Sequence, residues 1–310
     1  MRGTPAIKNT PDNNIGPRGR TPRLKRKVCM ENYLIAFDLD DTIVRKLVCL
    51  SDYTVEIMKR VQEMGHFIMP ATARPLHLVD WVVDKIHPKA PVAMINGAYL
   101  YDFNKKEDVY PPILITENMT DEIFDYFTQE IGKENIYNVI SEQRELIVTA
   151  DVERDKYSSY TEHIKQTTKH IHSPLSEKMP SLPFARMTIF PSVDKADEIC
   201  KYLNTRYPDY HCERVDWNGV VGEMKTRLYF AHKECNKWHA IRKAAKHLSI
   251  PEENIITFGD QWNDRLMLTA NKNGYALKGS FAESFANKVT EYTCKEDGVA
   301  KELAKIFGIK

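Results

Sequence analysis

Tyr33-Leu34-Ile35-Ala36-Phe37 is an unbroken apolar run with no polar residue at alternate positions, so a strand built from it must be covered on both faces. Strands of that kind sit in parallel sheets, whose connections are crossovers, usually helical. The chain supplies them. Ser51 and Asp52 can cap a helix in which Val55, Met58, Val61 and Met64 recur at helical spacing, and Gly65 can end it. Phe67-Ile68-Met69 reads as the second strand, and Pro75 as the start of a helix carrying Leu76, Val79, Val83 and Ile86. Pro91 to Ile95 gives a third strand, closed by Asn96-Gly97.

The same rhythm returns near the C-terminus. Leu228-Tyr229-Phe230 reads as a strand, and Asn236 as the cap of a helix through Ile241, Ala244, Ala245 and Leu248. Ile255-Ile256-Thr257-Phe258 is a buried strand and Tyr275-Ala276-Leu277 a short one. Between about Tyr99 and Thr226 the pattern changes to paired strands (Tyr99–Phe103 with Val109–Ile115, Ile136–Ile140 with Glu145–Ala150) and two longer helices, Asp121–Ile131 and Val193–Tyr207. An α+β segment is therefore inserted into an α/β frame.

Charge is distributed unevenly. Residues 1–29 hold eight basic side chains and one acid, which leaves 36 basic and 42 acidic residues, a net −6, on the remaining body. A body of that sign is not a nucleic-acid binder, although the tail has the charge to touch RNA or an acidic surface. Rich in Pro, Gly, Asn and Arg and without apolar period, residues 1–29 read as a disordered basic tail, more simply a solvated appendage than a binding arm. Six scattered cysteines with no C-x-x-C spacing suit reduced thiols. No apolar run approaches the roughly 18–20 residues that cross a bilayer, and no signal-peptide pattern opens the chain, so a cytoplasmic protein is expected.

Three polar clusters directly follow apolar strands: Asp38-Leu39-Asp40-Asp41-Thr42, Thr72-Ala73-Arg74 and Gly259-Asp260-Gln261-Trp262-Asn263-Asp264. In an open parallel sheet the carboxyl ends of neighbouring strands share one edge, where ligands bind, so clusters far apart in sequence can meet there. Carboxylates gathered at such an edge repel one another unless a cation joins them. Hard oxygen ligands select Mg²⁺, which usually shares its shell with a phosphate. An acidic metal site with a hydroxyl and a lysine is equipped for phosphoryl chemistry.

The set resembles the haloacid dehalogenase (HAD) superfamily, and within it the Cof-type phosphatases. Asp38-Leu39-Asp40-Asp41-Thr42 is similar to the first motif, D-x-D-x-T; Thr72 resembles the second, Lys237 the third, and Gly259-Asp260…Asn263-Asp264 the fourth, G-D-x-x-N-D. Ile95-Asn96-Gly97-Ala98 and Glu296-Asp297-Gly298-Val299-Ala300 resemble further stretches of the Cof group. The resemblance implies a Rossmann-like parallel-sheet core (residues 30–98 and 227–310) with an inserted α+β cap (99–226). It implies hydrolysis of a small phosphorylated metabolite, sugar phosphates foremost, with no membrane partner.

By the same resemblance Asp38 is the nucleophile that becomes an aspartyl phosphate, and Asp40 the general acid and base. Thr72 and Lys237 hold phosphoryl oxygens. Mg²⁺ takes the Asp38 carboxylate, the Asp40 carbonyl and Asp260, with Asn263 or Asp264 completing the shell. Asp41 reads as a turn residue, while Trp238 and Trp262 either shape the pocket or fill the core. Ala73 and Trp238 stand where the family usually has glycine, which adds bulk near the phosphate and bears on specificity. Two alternatives stay open: a phosphomutase of the phosphomannomutase kind, and a non-catalytic protein that binds a phosphorylated metabolite.

Overall fold

The computed structural model describes residues 31–45, 49–149, 169–172, 181–218 and 224–310. The basic tail, 1–29, lies outside these residues. Asn32–Lys310 form one compact unit. In chain order its elements are β1 (Leu34–Phe37), α1 (Asp52–Glu63), β2 (Phe67–Pro70), α2 (Asp80–Ile86), β3 (Val92–Met94), β4 (Tyr99–Asp102), β5 (Glu107–Asp108) and α3 (Glu117–Tyr126). There follow β6 (Ile136–Glu142), β7 (Leu146–Thr149), β8 (Lys169–His172), β9 (Arg186–Pro191), α4 (Ala196–Arg206), β10 (Tyr210–Asn218) and β11 (Met224–His232). The chain closes with α5 (Lys237–His247), β12 (Ile255–Gly259), α6 (Arg265–Thr269), β13 (Gly274–Ala276), β14 (Lys288–Val289) and α7 (Gly298–Phe307).

The fold is α/β. Among the described residues a parallel sheet runs in the order β14-β13-β12-β1-β2. The apolar run is β1, paired on both sides by β12 and β2, and its Leu34, Ile35, Ala36 and Phe37 are all fully buried. Helices cover both faces, with Ile57, Met58 and Val61 of α1 and Leu303 of α7 in one apolar cluster and Ile241, Ala244 and Ala245 of α5 in another. Ser51 caps α1 by accepting the Thr54 amide, and Asn236 caps α5 by accepting that of His239.

The expected third strand is β3, but it joins the sheet by a single parallel bridge, Ala71 to Ala93, and otherwise pairs antiparallel with β4, which pairs antiparallel with β5 in turn. The helix expected from Pro75 begins only at Asp80, after a tight turn over Leu76–Leu78. A non-local bond from the Leu76 amide to the Arg144 carbonyl (3.1 Å) and a local one from Arg74 Nη1 to the Leu78 carbonyl (2.9 Å) hold that turn.

A second sheet of six strands, ordered β10-β11-β9-β6-β7-β8, is antiparallel except at the β7–β8 edge. One of its faces packs Val139, Met187, Ile189, Leu228 and Phe230 against Ile123 of α3 and Ile199 and Leu203 of α4. Leu228-Tyr229-Phe230, which the C-terminal rhythm assigned to the parallel core, belongs to this sheet, so the expected boundary at 227 falls inside β11. Alternation explains the placement: Thr226, Leu228 and Phe230 are buried while Lys225, Arg227 and Tyr229 are half-buried, the pattern of a strand with one covered face. Conversely Tyr99, Leu100, Val109 and Tyr110 pack into the clusters of the parallel sheet. No helix among the described residues is long and apolar enough to cross a membrane.

Candidate active site

The parallel register aligns Phe37 with Phe258 and with Pro70, so β1, β12 and β2 end at one edge. The polar residues that follow them are therefore neighbours: the Asp38 amide donates to the Phe258 carbonyl (3.0 Å) and the Ala71 amide to that of Phe37 (2.8 Å). Asp38, Asp260 and Asp264, all buried, each place a carboxylate oxygen within 4.8 Å of the others.

One ammonium enters this cluster. Lys237, the first residue of α5 and only 1% exposed, lies 2.7 Å from Asp38 Oδ1 and 2.6 Å from Asp264 Oδ1. Asp264 is committed on its other side too, since Oδ2 accepts the amides of Asp260 (2.9 Å) and Gln261 (3.0 Å). The close approach requires Gly259, because a Cβ there would sit 2.5 Å from the Asp264 carboxyl carbon. Asp260 Oδ1 accepts the Thr42 hydroxyl at 2.9 Å.

Three buried carboxylates against one ammonium leave the site short of positive charge. Burial, opposed by Lys237 and reinforced by Asp264, pushes the Asp38 carboxyl up to about 8. Burial and then Asp264 push Asp260 up to about 7, against the Thr42 hydrogen bond. For Lys237, burial favours loss of the proton, but Asp264 and Asp38 outweigh it and hold the ammonium charged. A hard divalent cation fits this donor set, because it would meet oxygen ligands and supply the missing charge.

Asp40 stands apart, its side chain half-exposed and clasped by Arg74: Nε donates to Oδ2 at 2.9 Å and Nη2 to Oδ1. Thr72 is buried at the end of β2, where its hydroxyl accepts the Arg74 amide at 3.1 Å. Asn263 is exposed and turns its amide to Asn96 Oδ1 (3.3 Å); the buried place beside Asp260 is taken by Asp264 instead. Asp41 is exposed at φ 52° in the turn after Asp40, Trp238 packs in the core, and Trp262 lies 49% exposed. Sequence reasoning had not assigned a part to Arg74. Its place two residues after Thr72 in a polar cluster at a strand end was the available signal.

A family model described as haloacid dehalogenase-like hydrolase matches residues 35–303. The chain is 26% identical over 298 residues to the 5-amino-6-(5-phospho-D-ribitylamino)uracil phosphatase YitU of Bacillus subtilis, covering 89% of this chain and 98% of that protein. Phosphatase YwpJ of the same organism is 25% identical over 296 residues, 88% of this chain and 99% of that one. Among solved structures, a haloacid dehalogenase-like hydrolase from Bacteroides thetaiotaomicron superposes with a TM-score of 0.71 at 18% identity, over 89% of this chain and all of that one.

Proposed function

The chain belongs to the haloacid dehalogenase-like hydrolases, and on that premise we propose that it is a Mg²⁺-dependent phosphatase of small phosphate monoesters, sugar and polyol phosphates first among them. The single observation that carries this reading is the buried Asp38–Lys237–Asp264 contact with Asp260 beside it, a paired nucleophile and cation in a cluster short of one divalent charge. The ribityl phosphate in the name of the Bacillus relative supports the polyol class.

Asp38, at the end of a rigid strand, attacks phosphorus and becomes the aspartyl phosphate, splitting one difficult displacement into two. Asp40 protonates the leaving oxygen and then takes a proton from the attacking water; its side chain is the more solvent-exposed of the two carboxylates. Thr72 and Lys237 hold phosphoryl oxygens, and Asp264 fixes the ammonium. Asp38, Asp260 and the Asp40 carbonyl would hold Mg²⁺, which when bound supplies charge neutralisation at a phosphoryl oxygen. Arg74 keeps the Asp40 carboxylate in one orientation. The six-stranded sheet and its helices, between Ile115 and His232, form the cap that reads the rest of the substrate. The described cysteines are free thiols, in keeping with a reaction in the cytoplasm.

The test is a panel of phosphorylated sugars and sugar alcohols, incubated with Mg²⁺ and separately with chelator. Release of inorganic phosphate only with Mg²⁺, and a phosphoryl mass on Asp38 in acid-quenched protein, is the expected result. An isomeric ester in place of inorganic phosphate would establish a mutase; binding without turnover of any ester would reduce the site to a receptor.

A further inference from the structure

Ile95-Asn96-Gly97, between β3 and β4, lies outside the four motifs, yet three walls around the site converge on it: the Thr72–Arg74 loop, Asn263 and the start of α5. Its residues have successive left-handed backbone angles, φ 47°, 53° and 95°. For Ile95, β-branched and 1% exposed, that conformation is strained, and such strain persists only where the surroundings over-determine it. Here it aims two consecutive amides at one loop: Ile95 donates to the Arg74 carbonyl (3.1 Å) and Asn96 to the Thr72 carbonyl (2.9 Å). Asn96 also accepts the Asn263 amide on its side chain at 3.3 Å. Gly97 presses on the third wall. A Cβ there would sit 2.8 Å from the Asn236 carbonyl oxygen and 2.9 Å from the Ala240 Cβ, and Asn236 caps the helix whose first residue is Lys237.

We propose that the left-handed Ile95-Asn96-Gly97 turn is the positioning element that sets Thr72 and Lys237 at their working separation, with the backbone of Asn96 as its pivot. The proposal rests on the reading of Thr72 and Lys237 as the phosphoryl-oxygen ligands. A turn that merely closes the β3–β4 hairpin would contribute stability and leave the chemistry of the folded protein untouched. A positioning turn makes turnover depend on left-handed backbone at residue 96 and on the missing Cβ at residue 97.

The experiment uses the full chain and three variants, Asn96→Ala, Asn96→Gly and Gly97→Ala, each assayed at a temperature where circular dichroism shows it folded. The readouts are Mg²⁺-dependent kcat on p-nitrophenyl phosphate, the Kd of inorganic phosphate by calorimetry, and Tm. Both Asn96 variants lack the side chain, but only glycine adopts the left-handed region without strain. We expect Asn96→Ala to lose about tenfold in kcat, and Gly97→Ala on the order of 10²-fold, because a misplacement of binding groups by about 1 Å is that costly. Phosphate affinity should weaken in both, and Asn96→Gly should recover most of the parent's turnover. Folded Asn96→Ala and Gly97→Ala proteins with parental kcat and Kd overturn the proposal, whatever their Tm. Equal impairment of Asn96→Ala and Asn96→Gly also overturns it, since the side chain and not the backbone would then matter. If Gly97→Ala does not fold, the Asn96 pair decides. A parent that neither hydrolyses an ester nor binds phosphate overturns the phosphatase reading and this proposal together, whereas an active parent with unmoved variants overturns this proposal alone.

Discussion

Lys237→Met keeps the length of the side chain and removes the ammonium that touches the buried Asp38 and Asp264. With Lys237 1% exposed and Asp264 0% exposed, water cannot replace it. Breaking a buried ion pair from one side costs about 3–5 kcal/mol. At about 2–4 °C per kcal/mol for domains somewhat smaller than this chain, Tm should fall by roughly 6–20 °C.

The deficit should also depend on pH, with a definite sign. Asp38 and Asp260 are already held above the ordinary carboxylate range, at about 8 and about 7, chiefly by burial. Without Lys237 they rise further, so the folded variant keeps protons that the unfolded chain releases near pH ~4. A group raised on folding favours the folded state below its unfolded pKa, and that advantage disappears as pH rises through the folded value. The deficit should therefore stay level from pH ~4 to about pH 7, where the parent's folded carboxyls still hold the same protons, and widen toward pH ~9 as they ionise in the parent but not in the variant. Mg²⁺ should restore part of the loss, since a cation present at 100 times its Kd adds about 2.7 kcal/mol to the folded state. Thermal unfolding followed by circular dichroism, with chelator and with Mg²⁺ at both ends of that range, measures all three effects. A variant as stable as the parent in chelator at the higher pH would refute the electrostatic account. So would a deficit that does not change with pH.

Asp38→Asn should abolish the phosphoryl-protein mass and lower turnover by several orders of magnitude; Asp40→Asn should lose about 10²–10⁴-fold on alkyl esters and recover partly on p-nitrophenyl phosphate, whose leaving group needs no proton. Single-turnover kinetics on both esters checks this. Arg186→Met strands Glu142, fully buried and otherwise paired to Arg186 at 2.5 and 2.8 Å, and should cost about 3–5 kcal/mol by urea unfolding, most of it regained in Arg186→Met/Glu142→Leu. His66 is buried, its Nδ1 accepts the Tyr33 amide at 3.3 Å, and burial lowers its pKa. The unfolded chain then takes up that proton first, so stability present above about pH 6.5 is lost on acidification, and His66→Gln should flatten the Tm-against-pH curve there.

Sequence alone determined the strands and helices whose signals are local, because their causes lie within a few residues. The apolar run at 34–37, the Ser51 and Asn236 caps and the Ile255–Phe258 strand each recur in the structure where short-range pattern put them. The gathering of Asp38, Thr72 and Asp260 at one sheet edge was legible too, because parallel strands end together whatever the length of chain between them.

What the tertiary structure alone decided was which neighbour each group would face. The motif resemblance named Lys237 but left Asn263 and Asp264 open; the missing Cβ of Gly259 admits Asp264, and burial at the start of α5 sets the Lys237 ammonium against it. The clasp of Arg74 on Asp40 joins residues 34 positions apart, and the membership of β11 in the antiparallel sheet depends on partners as distant as β9. Such choices follow from sheet register and from the desolvation of specific side chains. Both quantities exist only once the chain has closed on itself.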